Sequence, residues 1–244
     1  MILTVAANKG GCGKTTTAAA LAQAAVKDGK KVLAIDLDGQ ADLTYTLKGY
    51  PDENGSYALL NGTPLPETIQ HTAQGIDLAA GIANLSVLHS EKGSARRLQK
   101  ALEPYKTGYD MIIIDSPPSQ GELTFNALQA ATDLIIPLAA DRFSLQALYQ
   151  IADIVEIMRN SNPDINILGS IITNYDRRPT FNRFIRDTIK QQGEEMGIPL
   201  LLEIRQGVAV KEAQGLQQSL FEYASRSNPA ADYMELYTII KERM

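Results

Sequence analysis

Residues 8–17 read Asn8-Lys9-Gly10-Gly11-Cys12-Gly13-Lys14-Thr15-Thr16-Thr17, the densest chemistry in the 244-residue chain. Small glycines let backbone N–H groups converge on phosphate oxygens. A Gly-Lys-Thr at a helix start adds the partial positive charge of that terminus. In this setting Lys14 reaches the β- and γ-phosphates and the Thr15 hydroxyl ligates Mg²⁺. Gly10, Gly11, Cys12, Gly13 and Thr16 complete the expected cradle. Two acidic segments follow apolar runs: Ile35-Asp36-Leu37-Asp38-Gly39-Gln40, and Met111-Ile112-Ile113-Ile114-Asp115-Ser116-Pro117-Pro118. Alternation along an extended chain predicts that Asp36 and Asp38 share one side, both near the phosphates. A carboxylate there suits orienting a water and accepting its proton late in phosphoryl transfer. Asp115, ending an apolar run, is placed for Mg²⁺ through water.

These residues need a scaffold, and the chain supplies its pattern. Ile2–Ala7 is apolar and leads into the glycine loop; Ala18–Ala25 reads as helix. Further apolar runs lie at Val32–Ile35, Ile76–Ala80, Met111–Ile114, Leu134–Leu138, Ile165–Ile172 and Leu200–Ile204. Continuous runs suggest strands buried on both faces, as in parallel sheets. Leu145, Leu148, Ile151, Val155 and Met158 recur at helical spacing. Regular alternation predicts a doubly wound, mostly parallel α/β sheet with helices on both faces, one domain over 1–244. The three acidic or glycine-rich sites then sit at strand C-terminal ends, where such sheets bind ligands. Gly49–Pro66 reads as an irregular insertion with a short helix at Ser56–Leu60, and Ala230–Arg243 as a closing helix.

Composition narrows the classes. No run of about 18 apolar residues is present, which argues against a transmembrane helix, and the first residues lack the basic region of a signal peptide. The single cysteine, Cys12, excludes an intramolecular disulfide and argues against an iron–sulfur centre. It reads as a loop filler, with redox sensitivity through a lowered pKa as the alternative. His71 and His89 read as surface histidines. Net charge is −5, so any nucleic-acid contact must come from a local patch.

The loop departs from the usual phosphate-binding pattern, with Asn8 at the first glycine position and a second lysine, Lys9, ahead of Gly10-Gly11. That arrangement resembles the deviant Walker A motif of the ParA/MinD ATPases. The resemblance implies that Lys9 crosses a dimer interface to the other subunit's nucleotide. It implies that Asp38 lies near the attacking water and Mg²⁺, that Asp36 helps hold the metal's surroundings, and that Asp115-Ser116-Pro117-Pro118 senses the γ-phosphate. Gly39 stands where the family has proline, which predicts a more mobile switch. Ile171-Ile172-Thr173-Asn174-Tyr175-Asp176-Arg177-Arg178 is similar to the family's base-recognition region; the Asn174 amide offers adenine donor and acceptor together. An Asx turn is the alternative. Without an Asn-Lys-x-Asp guanine signature, ATP is favoured over GTP.

Arg183, Arg186 and Lys190 are spaced to share one helix face, while Phe181, Phe184, Ile185 and Ile189 are expected mostly to face the core. Arg205, Lys211 and Arg226 follow. In ParA proteins such C-terminal cations bind DNA without sequence preference, which makes Arg183, Arg186, Arg205, Lys211 and Arg226 the expected DNA contacts; a solvated helix face competes with that reading. The resemblance runs nearly the full length and is closest to the short, Soj-like type. It implies a cytoplasmic, nucleoid-associated partition ATPase that uses ATP and Mg²⁺, forms an ATP-dependent sandwich homodimer on DNA, and is stimulated by a ParB-like partner. The alternatives are a MinD-like membrane ATPase, a ParA relative positioning another cargo, and an ATP-dependent synthetase or reductase. Tyr233–Met244 is short and mixed in charge, so it reads better as a packed final helix, with a weak membrane anchor as the alternative.

Overall fold

The computed structural model describes residues 1–87, 94–119 and 121–243. In chain order the elements are β1 (Ile2–Val5), α1 (Lys14–Lys27), β2 (Val32–Asp36), α2 (Asp42–Thr46), α3 (Ser56–Leu60), β3 (Ile69–His71), β4 (Asp77–Ala79), α4 (Arg97–Leu102), β5 (Met111–Asp115) and α5 (Glu122–Ala130). They continue with β6 (Asp133–Ala139), α6 (Ser144–Met158), β7 (Asn166–Tyr175), α7 (Thr180–Glu195), β8 (Leu200–Arg205), α8 (Val208–Gly215), α9 (Leu220–Tyr223) and α10 (Asn228–Lys241). Among the described residues the strands form one sheet in the order β3-β4-β2-β5-β1-β6-β7-β8. All neighbours are parallel except β3 and β4. The expected doubly wound sheet is therefore present; the antiparallel edge strand β3 was not anticipated.

Both faces are covered, which is why the strands read as unbroken apolar runs. On β2, Val32 and Ala34 pack with α1 and α10 residues such as Leu21 and Leu236, while Leu33 and Ile35 pack with Leu59 of α3 and Leu98 of α4. α6 and α7 cover the β6–β7 end through Leu148, Ile151, Val155, Ile185 and Ile189. α1 is rich in alanine because it is enclosed: Ala18, Ala19, Ala20, Ala22, Ala24 and Ala25 are all buried. Alanine is the best helix former and lets neighbours approach closely. α10 closes this face with Tyr233, Leu236, Tyr237 and Ile240 buried.

Register places the chemistry. Val5 pairs with Asp115, and Asp115 with Asp36, so three strand ends lie side by side under the glycine loop. The chain reverses direction across the sheet at β1, the switch point where doubly wound sheets bind ligands.

Candidate nucleotide site

The loop leaves β1 at the centre of the sheet and turns into α1 through Gly11 (φ 69°) and Gly13 (φ 87°), left-handed conformations that favour glycine. Gly13 is also crowded: an added Cβ would lie 3.0 Å from the Thr173 hydroxyl, which itself donates to the Cys12 carbonyl at 2.8 Å. The N-terminus of α1 carries no side-chain cap and no acidic residue in its first turn. By contrast, α10 is capped by Ser227. The open amides and helix dipole of α1 are left for an anion. They face a pocket of about 490 Å³ lined by Gly10, Lys14, Thr15, Asp38, Pro118 and Gln214 among others. Lys14 is buried and donates to the Lys9 carbonyl at 2.8 Å. Gln214 of α8 donates to Thr16 at 3.1 Å, tying that helix to the loop.

Asp115 and Asp36 are fully buried and adjacent. Among the described residues, neither carboxylate oxygen of Asp115 has a partner within hydrogen-bond distance. Burial, then the charge of Asp36, pushes its carboxyl well above the ordinary range, and neighbouring Thr15 and Lys14 pull it down only in part. Burial also lifts Asp36 to about 6, against the hydrogen bonds it accepts from the Thr44 hydroxyl (2.7 Å), the Thr44 amide (2.9 Å) and the Asp38 amide (3.0 Å). An unpartnered buried carboxylate beside a hydroxyl and an anion cradle fits a hard cation with oxygen ligands. Thr15, Asp38 and Asp115 would hold Mg²⁺, with Asp36 bracing the segment behind them. No cluster of three His, Cys, Asp or Glu side chains suited to a metal occurs among the described residues. A cation held largely by phosphates and water does not require one.

The expected common side for Asp36 and Asp38 is corrected by the fold. β2 ends at Asp36, and an Asx turn follows, so strand alternation stops there. Asp36 turns inward, whereas Asp38 lines the pocket and accepts from the Gln40 amide at 3.0 Å. Gly39 is not left-handed, and a Cβ there would make only ordinary contact with Ala83, so nothing local demands glycine. Gly81 is constrained: an added Cβ would fall 2.8 Å from the Asp36 carboxyl carbon. Asp42 and Tyr45 of α2 also line the pocket; no motif pointed to them.

Lys9 does not line this pocket. Its ammonium pairs with Asp141 after β6 and lies 5.9 Å from the Phe143 ring centroid. Burial raises the Asp141 carboxyl, but Lys9, the Phe143 amide and the Ser144 hydroxyl leave it below the ordinary range. Cys12 is buried, and burial raises its thiol, which removes the lowered-pKa route to redox sensitivity and leaves the filler role.

Beyond the loop, Asn174 sits in the left-handed region (φ 50°), exposed, at the rim of a recess of about 290 Å³ that also touches Gly11, Gly13 and Arg205. The cations expected to face DNA are dispersed. Arg183 donates to the carbonyls of Arg177 and Arg178, and Arg186 pairs with Asp187 and Glu203. Arg205 is clamped by Asp232, Lys211 borders the recess, and Arg226 is exposed between α9 and α10. Phe181 and Phe184 contradict their expected inward placement: they are 54% and 64% exposed, and only Ile185 and Ile189 are buried. Ile185 and Ile189 join the cluster that includes Leu148, Ile151 and Val155 of α6, whereas Phe181 and Phe184 lie in the exposed first part of α7. His71 is a surface residue paired with Asp77 at 2.6 Å; His89 lies outside the described residues.

Comparison with known proteins agrees with this geometry. A family model described as an AAA domain matches residues 1–167. The chain is 33% identical over 245 residues to the chromosome-partitioning ATPase Soj of Thermus thermophilus, covering 99% of this chain and 96% of that protein. It is 30% identical over 249 residues to the chromosome partitioning protein ParA of Myxococcus xanthus, covering 96% and 86%. Among solved structures, cobyrinic acid a,c-diamide synthase from Mycobacterium smegmatis with a bound ATP analog and magnesium superposes with a TM-score of 0.85 at 29% identity, covering 99% and 94%.

Proposed function

The chain belongs to the ParA/MinD family of P-loop ATPases, and from that premise we propose that it is a partition ATPase whose ATP-bound form is a sandwich dimer on DNA. ATP and Mg²⁺ fit the cradle on chemical grounds: open amides and Lys14 for the phosphates, Thr15 and Asp115 for the ion. Bound Mg²⁺ supplies charge neutralisation on the phosphates. Asp38, at the pocket wall, orients the attacking water and accepts its proton. Asn174 holds the base edge.

The observation that carries the dimer is Lys9. Its side chain stands outside its own subunit's pocket, paired with Asp141. Released from Asp141, it reaches the nucleotide of a second copy facing the same surface. Exposed Lys211, Arg183 and Arg226 give that dimer phosphate contacts that need only charge and reach. A ParB-like partner stimulates hydrolysis and frees the DNA.

The membrane-anchored alternative loses its best candidate segment, because the apolar residues of α10 are spent in the core. No helix among the described residues is long and apolar enough to cross a membrane. Co-sedimentation with DNA and with anionic liposomes, each with and without ATP, tests the proposal. ATP-dependent pelleting with DNA alone is expected; pelleting with liposomes alone would overturn it.

A further inference from the structure

We propose that Arg205 is a platform on which the nucleotide's base stacks, its guanidinium plane held by Asp232, rather than a DNA contact. The inference rests on the chain being an ATPase and adds a residue that fixes the base. The recess beside Arg205 adjoins the phosphate pocket, since Gly11, Gly13, Thr16 and Gln214 border both. Its roughly 290 Å³ lies at the lower end of the range for small-molecule pockets.

The clamp is specific. Asp232 is 4% exposed, and its oxygens accept Arg205 Nε at 2.9 and 3.0 Å, Nη2 at 2.5 Å and the Arg205 backbone amide at 2.8 Å. A bidentate carboxylate occupies one edge of the guanidinium and fixes its plane. The side chain remains 46% exposed while lining the recess, so the guanidinium is open to a molecule bound there. Planar guanidinium groups stack on aromatic faces, and every base offers such a face. On the neighbouring strand Tyr175 pairs with Arg205. This puts Asn174, whose amide has no partner among the described residues, at the same rim to read the base edge. Tyr233, next to Asp232, lies 3.4 Å from the Thr17 hydroxyl of α1, so the platform is braced on the helix that binds phosphate. A DNA phosphate needs a free, reachable charge, and the charge of Arg205 is already met by a buried carboxylate.

Arg205→Lys keeps the charge and removes the planar fork; Arg205→Leu removes both. Calorimetric titration with ATP, ADP and the base-free probe inorganic tripolyphosphate separates the roles. Both variants are expected to bind ATP and ADP about tenfold more weakly, as loss of a stacked partner predicts, with tripolyphosphate affinity unchanged for Arg205→Lys. Co-sedimentation of Arg205→Lys with DNA at saturating ATP should match the unaltered protein. Unchanged ATP affinity in both variants overturns the proposal, as does equal weakening of ATP and tripolyphosphate. DNA binding lost in Arg205→Leu at saturating ATP, with ATP affinity intact, returns Arg205 to the DNA surface. An unaltered chain that binds no ATP would instead overturn the ATPase reading.

Discussion

The two ends of the nucleotide cleft are built in opposite ways. The phosphate end is made of main-chain amides, a buried lysine and two buried carboxylates at adjacent strand ends. The proposed base end is made of side chains: exposed Asn174 on β7 and half-exposed Arg205 on β8, the latter held by buried Asp232 of α10. The first is set by backbone geometry, so its chemistry tolerates little change. The second is a set of side-chain contacts, so its residues are exchangeable and fix affinity more than reaction.

The largest expected effect lies at the phosphate end. Asp38→Ala should slow phosphate release about 100-fold or more, the usual cost of losing a positioned acid–base group, while ATP affinity stays near that of the unaltered protein. Turnover at the normal rate would remove Asp38 from the mechanism. Next, Lys9→Ala should weaken the ATP-dependent dimer at least about tenfold, since truncating a close charge contact is costly. Light scattering with ATP reads this out, and a dimer of normal stability would confine Lys9 to its own subunit.

Two smaller effects test the contrast directly. The raised carboxyls at the phosphate end set a sign. An acid whose pKa rises on folding contributes stability below its unfolded value and loses it as pH climbs through the folded one, here from about 4 to about 6 for Asp36. The nucleotide-free protein should lose about 1–3 kcal/mol from this group between pH 4 and pH 7. Mg²⁺ favours the ionised carboxylates, so the gain in melting temperature on adding Mg²⁺ with tripolyphosphate should widen over that range. A constant gain would mean Asp36 and Asp115 are ionised throughout. Asp232→Asn, at the base end, should raise the ATP dissociation constant about fivefold, in line with a weakened charge-assisted hydrogen bond, and leave maximal turnover unchanged. A loss of turnover would join the two ends into one unit.

The same contrast decides what the sequence made legible. Phosphate-end residues stand in contiguous motifs whose backbone geometry is local, so Gly13, Lys14, Thr15 and Asp115 were readable with the strands and helix that carry them. Asp36 and Asp38 were readable as a pair, but their opposed directions were not, because the end of β2 is fixed by tertiary pairing with β5. Arg205 was visible only as a charge: Asp232 is twenty-seven positions further on, and no period links a β-strand end to a helix face. Phe181 and Phe184 fit a helical apolar pattern, and only the tertiary packing, which buries Ile185 and Ile189 instead, leaves them exposed.

The clamp on Arg205 also has a consequence for synthesis. Domains assemble as the chain leaves the ribosome, N-terminal parts first. The glycine loop, Asp36 and Asp115 all emerge before the halfway point, whereas Asp232 and Tyr233 come late. A nascent chain therefore carries the phosphate-binding residues well before the residues that would grip a base. Full-strength nucleotide binding then marks a chain whose α10 has docked on α1.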